Sequence, residues 1–294
     1  MDEKTALHTA ARRYCVERDT ALHPLFWERL EERLRQEQRD VSDRELRRAA
    51  EGVSGTAAQW EMLGAILFGL EQVTPEDFPD IEALRAELVA VAREAEPDLA
   101  GWSEQELPEL EEERELFRAY VERLCPDDLR AVEPLFHRRV LSDHDADKLW
   151  RRAKRRWGVP REWKWYPMND GDPPAPNILA FTWSEFSEHV PTPTLHRILA
   201  ARRIRRLWEL QWDYDTVYEI DLDIFRPGGP ETYWTSEPMD WIVYTSHEDS
   251  ITIGGEWLLN LVRREWPDCD GHLRTTHLPP AVLRAEERWK SGVR

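Results

Sequence analysis

The chain lacks the features that most directly identify a membrane protein, a disulfide-rich protein or a nucleotide-binding enzyme. No run of about 18 apolar residues is present to span a bilayer, and the charged segment 1–13 differs from a signal peptide. The three cysteines, Cys15, Cys125 and Cys269, show no CxxC spacing, and neither GxGxxG nor GxxxxGK(S/T) occurs. We therefore expect a soluble cytoplasmic protein with free thiols, no cofactor and no metal ion.

Positive charge is also scarce, except in the middle of the chain. The net charge of −18 divides into −16 for residues 1–136, +7 for residues 137–206 and −9 for residues 207–294. An acidic protein is repelled by the phosphates of nucleic acids, so nucleic-acid binding through the basic belt of residues 138–206 is only an alternative. The other explanation of the belt is that its cations pair with the acidic flanks of the same molecule. Arginine greatly outnumbers lysine, which suggests a bacterial genome rich in G and C.

The distribution of tryptophan divides the sequence into two differently built halves. Twelve of the 15 tryptophans fall between Trp150 and Trp289, whereas the first half places apolar residues at helical spacing behind capping residues. We predict an all-α helical domain over 1–157, a loop or linker rich in Pro, Asp and aromatic residues over 158–176, and an α+β antiparallel sheet domain over 177–294. The candidate helix caps are Ser42, Thr74, Ser103 and Ser142.

The first half also shows which helix faces are expected in the core. Two sets of apolar residues share a face at helical spacing: Trp60, Leu63, Ile66, Leu67 and Leu70 in one helix, and Leu107, Leu110, Phe117, Val121 and Leu124 in another. The acidic run 109–115 is interpreted as the solvated outer face of the second helix. These patterns predict the packing of helices and indicate no catalytic or binding site.

Alternating apolar and polar residues predict a β-meander in the second half. Segments 206–214 and 218–224 favour a hairpin with one dry face and one polar face, and further strands are expected at 231–235, 240–246 and 251–253. Residues 241–244 are apolar on both faces, which predicts a strand inside the sheet. Short connections favour antiparallel pairing, and residues 256–266 suit an amphipathic helix packed on the sheet. The predicted fold class is α+β.

Two sets of residues are candidate binding surfaces. Three carboxylates alternate along one strand and so project from one face: Glu219, Asp221 and Asp223. Alternate residues lie about 7 Å apart, too far to hold one ion without further ligands, so we interpret them as a solvated acidic face that attracts a basic protein partner. Three aromatic residues of the loop before the sheet either fill a seam between domains or contact a partner: Trp163, Trp165 and Tyr166.

The segment 245–250 holds the densest cluster of catalytic residue types, and His247 and Glu248 are the candidate catalytic pair within it. Ser246 and His247 point to opposite sides of a strand, so they cannot form a nucleophile and base by themselves. Partners from elsewhere would be required, and the candidates are Glu219, Asp221, Asp240, His272 and His277. A polar turn between two strands explains the same residues. The pair Gly254 and Gly255, between a strand and a helix, resembles a phosphate-binding turn slightly, but a need for positive φ is the preferred explanation.

The function that agrees best with these patterns is a non-catalytic macromolecular interaction protein that binds a basic protein partner. Bacterial immunity proteins that block a basic toxin or nuclease are often acidic α+β proteins, and the chain is similar to them in these properties alone, which suggests an immunity-type or defence-associated regulator. The first alternative is a hydrolase or transferase with its site at His247 and Glu248. The second is nucleic-acid binding through residues 138–206.

Overall fold

The computed structural model describes residues 1–36, 54–97, 107–160, 165–167, 177–212, 216–228 and 231–274. Contacts divide the chain into two compact units, Met1–Leu135 and Phe136–Arg294. The first is helical and the second contains an antiparallel sheet, so the fold class is α+β, as predicted. The predicted boundary after residue 157 lies later than this division, because the strand Arg138–Val140 and the helix Asp143–Trp157 belong with the sheet.

The first unit is built from helices packed around one apolar core. Its described helices are α1 (Glu3–Gln36), α2 (Ser54–Leu70), α3 (Ile81–Glu94), α4 (Leu107–Arg123) and α5 (Pro126–Arg130), with a 3₁₀ turn at Pro75–Asp77 after α2. The predicted apolar faces form the core, since the following side chains are at most 1% exposed: Leu63, Ile66, Leu70, Phe117 and Val121. No helix in the described parts of the chain is long and apolar enough to cross a membrane.

Capping side chains account for the start of two helices. Ser142 accepts a hydrogen bond from the backbone N–H three residues later, at 3.3 Å, which confirms that predicted cap. Asp80 caps α3 in the same way at 2.8 Å, and the sequence analysis did not name it. Thr74 precedes only the 3₁₀ turn, and its side chain makes no capping bond. Ser42 and Ser103 lie outside the described residues.

One member of the acidic run 109–115 turns inward. Glu113 is fully buried, and its carboxylate forms an ion pair with Arg18 of α1, whose Nη2 lies 2.7 Å from Oε2. Tyr14 donates a further hydrogen bond to the same carboxylate at 3.2 Å. The prediction that the whole run is solvated is therefore wrong at this position, because a buried charge is tolerated when it is paired and hydrogen-bonded.

The second unit contains a seven-stranded antiparallel sheet within the described residues. Its strands are β1 (Arg138–Val140), β2 (Ile178–Thr182), β3 (Arg206–Gln211), β4 (Thr216–Asp221), β5 (Thr232–Thr235), β6 (Ile242–Ser246) and β7 (Ser250–Gly254), in the order β1-β4-β3-β5-β6-β7-β2. Antiparallel pairing is confirmed, and so is the interior position of β6. The meander is interrupted, however, because β5 pairs with β3 while β4 pairs with β1.

Helices cover both faces of this sheet. On one face lies α6 (Asp143–Trp157), whose Trp150 shares a core cluster with Leu210, Tyr233 and Tyr244 of the sheet. On the other face lie α7 (Trp183–His189), α8 (Thr192–Ala201) and the predicted amphipathic helix α9 (Glu256–Glu265). Their residues Phe186, Leu195 and Val262 share a core cluster with Val243 of the sheet. The prediction of one polar, solvated face is therefore wrong.

The register of β3 and β4 explains this error. Leu207 pairs with Ile220, and Trp208 pairs with Glu219. Directly opposed residues project from the same face of a sheet, so the apolar residues of β3 that include Trp208 share their face with Glu219. The apolar residues of β4 that include Ile220 project from the other face. Each face is thus partly apolar, and the helices bury both.

Candidate functional site

The predicted catalytic residues lie in the tight turn between β6 and β7. Ser246 and Ser250 oppose each other across this hairpin, and their hydroxyl oxygens are 2.7 Å apart. The backbone N–H of Glu248 donates to Ser246 Oγ at 3.2 Å, and Asp249 adopts a φ of 55°, which allows the chain to reverse. In this turn, the side chain of His247 is 58% exposed to solvent. The Ser246 hydroxyl is hydrogen-bonded to that of Ser250.

His247 lies between two carboxylates. Its Nδ1 is 2.6 Å from Oε1 of Glu231, and its Nε2 is 3.2 Å from Oε1 of Glu248. Glu231 immediately precedes β5 and is only 2% exposed, so a buried carboxylate fixes the orientation of an exposed imidazole. We call Glu231, His247 and Glu248 the carboxylate–imidazole cluster.

Two tyrosines support the buried carboxylate from the sheet. The hydroxyl of Tyr244 donates to Oε2 of Glu231, the oxygen that His247 does not contact. Burial raises the pKa of Tyr244, and Tyr233 and the Glu231 carboxylate raise it further. Burial also raises the pKa of Tyr233, whose ring stacks on Tyr244 at a centroid distance of 4.4 Å. The Tyr244 hydroxyl therefore stays protonated and acts as a donor.

Glu231 was not predicted from the sequence as the partner of His247. The pairing of β5 with β6 opposes Thr232 and Thr245, so the residue before β5 comes close to the residues after β6. This pairing is the signal that would have found Glu231, but register cannot be read from the alternation pattern alone. Among the partners that were named, His272 instead lies 2.5 Å from Glu185, and His277 is outside the described residues.

The aromatic loop residues do not form an exposed surface where the structure describes them. Trp165 is 5% exposed, and its ring lies 6.0 Å from the ring of Tyr233 and 6.1 Å from that of Tyr244. Tyr166 is partly buried. Trp163 lies outside the described residues. Trp165 therefore belongs to the core of the second unit, behind the carboxylate–imidazole cluster.

The predicted acidic face is largely neutralised by its own neighbours. Glu219 lies 2.8 Å from Nε2 of His137 and within 3.7 Å of guanidinium nitrogens of Arg139 and Arg206. Asp221 lies 3.6 Å from Arg206 and accepts the backbone N–H of His137 at 2.7 Å. Asp223 is exposed in the 3₁₀ turn after β4. Because two of the three carboxylates face cations of their own unit, this face offers less negative charge to a partner than its sequence suggests.

The same pairing accounts for much of the described basic belt. Arg152 forms two hydrogen bonds to Glu237, of 2.7 and 2.6 Å, and Arg197 lies 2.8 Å from Glu265. The guanidinium of Arg138 lies 4.1 Å from the centroid of the Tyr218 ring. These carboxylates belong to the acidic segment 207–294, so part of the described belt pairs within its own unit, and nucleic-acid binding through the belt stays a prediction.

A cavity of about 560 Å³ lies beside the N-terminus of α9. Gly255 has a φ of 112° there, and a Cβ at this position would lie 2.5 Å from the carbonyl oxygen of Asp240. Backbone geometry therefore requires glycine at position 255, as predicted, whereas Gly254 is the last residue of β7 and has no positive φ, so the prediction is wrong there. Two acidic residues, Asp240 and Glu256, and one basic residue, Arg156, line the cavity, so its charged lining does not single out a site for a phosphate group.

A groove of about 520 Å³ lies on the first unit beside α2 and α3, and sequence analysis did not predict it. Its apolar lining includes Ala65, Phe68, Val73, Phe78, Val91 and Ala95. Its acidic lining consists of four exposed residues, Asp77, Glu87, Glu94 and Glu96, and the described residues that line it include no lysine or arginine. Gly69 also lines it, and a Cβ there would lie 2.6 Å from Cγ1 of Val91, so glycine permits close packing of α2 and α3. We call this feature the acidic groove.

No protein-family model, curated protein or solved structure matches the chain.

The two sites differ in what they can do chemically. A general base needs a free imidazole nitrogen within reach of a substrate proton, but both nitrogens of His247 already lie beside carboxylates. A metal ion also needs a free imidazole nitrogen, so either use requires His247 to exchange one of these two contacts. The acidic groove combines an apolar floor with negative charge, which suits a segment that is apolar on one side and basic on the other.

Proposed function

We propose that this protein is a non-catalytic interaction protein that binds a basic, amphipathic segment of a protein partner in the acidic groove. The observation that carries the proposal is the composition of the groove, an apolar floor with four exposed carboxylates and no cation among its described lining residues. An immunity-type or defence-associated regulator, which would hold a basic toxin or nuclease inactive, is the biological role that we propose for it.

The apolar floor would supply the contact area. Phe68 is 40% exposed, one of the few large apolar side chains that the described chain leaves in water. Covering such a ring is favourable at roughly 25 cal/mol for each Å² of apolar surface removed from water. An amphipathic helix laid in a groove uses apolar anchors one turn apart for this purpose, and the groove offers Val73, Phe78 and Val91 beside Phe68.

The carboxylates would select the sign of the partner's charge. Residues 1–136 carry a net charge of −16, so a basic segment is attracted over a distance set by the Debye length, about 8 Å at physiological ionic strength. Charge complementarity at an interface raises the association rate and rejects acidic competitors. Binding should therefore weaken as salt is added.

A labelled peptide tests the proposal with the whole protein. The probe is a fluorescein-labelled amphipathic peptide of leucine and lysine, about 18 residues or five helical turns long, and fluorescence anisotropy reports its binding. Replacing Glu87→Lys together with Glu94→Lys should weaken binding about tenfold or more, equivalent to about 1.4 kcal/mol. Phe68→Ser should weaken it without altering the net charge.

The matched control reverses two carboxylates away from the groove. Glu112 and Glu122 are exposed on α4, and Glu112→Lys with Glu122→Lys makes the same change in net charge. This control should bind the peptide nearly as tightly as the unchanged protein. Equal weakening by the two pairs of substitutions would show only general charge attraction and would overturn the proposal, as would failure of the unchanged protein to bind the peptide.

A further inference from the structure

The geometry of the second unit points to a metal site. We propose that Glu231, His247 and Glu248 bind one divalent transition-metal ion of the zinc class. The inference goes beyond the proposed function, since it concerns other residues and another ligand. Two carboxylates and one imidazole provide the mixed oxygen and nitrogen ligands that Zn²⁺ accepts. Sequence spacing could not show this set, because Glu231 enters from the start of β5 while the other two ligands occupy the β6–β7 turn.

The charge of the cluster favours a cation. Glu231 is 2% exposed, and a buried carboxylate is costly unless a positive charge or several donors compensate it. Its described contacts are the neutral hydroxyl of Tyr244 and the imidazole of His247. A dication held between Glu231 and Glu248 would place positive charge directly beside the buried carboxylate.

Among the described residues, the side chain of Arg274 also lies near the turn. The guanidinium of Arg274 donates to the backbone carbonyl oxygens of Glu248 and Asp249, at 2.7 and 2.6 Å. Arg274 thus supports the turn that presents His247 and Glu248. A metal ion would lie on the side-chain side of the turn, between the carboxylates.

The distances are close to those that one ion requires. One ligand atom from each of the three residues can be chosen so that all lie within 4.8 Å of one another. Ligand atoms that each lie about 2.1 Å from one ion are at most about 4.2 Å apart. Binding would require the His247 side chain, which is 58% exposed, to exchange its present hydrogen bond with Glu231 for a bond to the ion. Since this side of the cluster faces solvent, water can complete the coordination.

Tyr244 would act as a positioning residue for the metal. It donates to Oε2 of Glu231 and leaves Oε1 for the ion. The stacking of Tyr233 on Tyr244 fixes the direction of this hydroxyl. Residues that orient a metal ligand through hydrogen bonds typically change metal affinity by about 10- to 100-fold when they are removed. The cluster therefore has the support from the fold that metal sites usually show.

The experiment is calorimetric titration of ZnCl₂ into the full chain after treatment with a chelator. We expect one saturable site that His247→Ala weakens by at least about tenfold and that Tyr244→Phe weakens by roughly tenfold. His247 is largely exposed, so its replacement should leave the fold intact, as circular dichroism would verify. The matched control is His272→Ala, another partly exposed histidine beside a carboxylate, and it should bind Zn²⁺ like the unchanged protein.

X-ray absorption at the zinc edge identifies the ligands independently. We expect only oxygen and nitrogen neighbours. A sulfur neighbour would assign the bound zinc to a cysteine, such as the exposed Cys125, and would overturn the proposal. Absence of a saturable site, or unchanged affinity in His247→Ala, would overturn it as well. Neither result bears on peptide binding in the acidic groove, so the two proposals can fail separately.

Discussion

Replacing Gly255 by alanine should destabilise the second unit by at least about 3 kcal/mol. Gly255 has φ 112° and ψ 122°, a conformation that costs a residue with a side chain on the order of 1–3 kcal/mol. In addition, a Cβ at this position would lie 2.5 Å from the carbonyl oxygen of Asp240 and 2.9 Å from Cα of Trp241. Both atoms belong to the backbone, so neither can rotate away. The two costs should add, because relieving the contact requires movement of the segment that leads into β6.

Two other glycines of the second unit separate these costs. Gly158 has a φ of 68°, but a Cβ added there would have no atom within 4 Å, so Gly158→Ala should show the conformational cost alone, about 1–2 kcal/mol. Gly271 has neither a positive φ nor a close neighbour, and Gly271→Ala should change stability by no more than about 0.5 kcal/mol. The expected order of destabilisation is Gly255, then Gly158, then Gly271.

Urea unfolding followed by tryptophan fluorescence is the appropriate assay. Twelve of the 15 tryptophans lie between Trp150 and Trp289, so fluorescence reports mainly on the second unit. The free energy of unfolding is obtained by linear extrapolation for each variant. If Gly255→Ala cost no more than Gly158→Ala, the reasoning from backbone contact would be refuted.

Two further predictions concern the first unit. Burial lowers the pKa of His8 from 6.5 to about 4. Between these pH values the unfolded chain binds more protons than the folded protein does. The stability contributed by neutral His8 is therefore complete above about pH 6.5 and is lost as the pH falls toward 4. Titration of the His8 imidazole by NMR should show a midpoint near 4, and a midpoint near 6.5 would contradict this burial effect. Arg18→Met should cost about 3 kcal/mol, because it removes the cation paired with the buried carboxylate of Glu113 and leaves that carboxylate with the hydrogen bond from the Tyr14 hydroxyl. Adding Glu113→Leu should recover most of that loss in urea unfolding followed by circular dichroism; a double variant as unstable as Arg18→Met would contradict the account.

The features that sequence predicted well are local ones. The core faces of α2 and α4 follow from apolar residues three and four positions apart, and Ser142 caps α6 through an atom only three residues away. The extended segments of the second half are likewise encoded in short stretches of alternating residues. Such patterns are readable because the groups that interact are neighbours in the chain.

The features that sequence did not predict depend on register. In the observed β3–β4 pairing, Trp208 shares a face with Glu219. A shift of one residue in that pairing would exchange the faces, and Trp208 would share a face with Ile220 instead. The carboxylate–imidazole cluster depends on the β5–β6 pairing in the same way. His247 and Glu248 were chosen for their residue types, but Glu231 became visible only when the strands were aligned.

The acidic groove escaped prediction for a different reason. The exposed carboxylates of α3 look like an ordinary solvated helix face, and Phe68 looks like one more apolar residue of α2. Only the packing of α2 against α3 at Gly69 brings the two sets to one concave surface. Concavity is a property of the assembled unit, and no short segment encodes it.

The strand order has a consequence for the way in which the chain is made. Residues 138–140 pair with residues 218–220, and residues 178–182 pair with residues 250–254, so both outer strands leave the ribosome well before their partners exist. At about 5–20 residues per second, each waits on the order of seconds. During that time their backbone amides and apolar side chains have no native partner in the sheet. Contacts between residues so far apart in the chain also slow folding. Nascent chains that end before residue 254 should therefore be the species that depends most on chaperones for protection against aggregation.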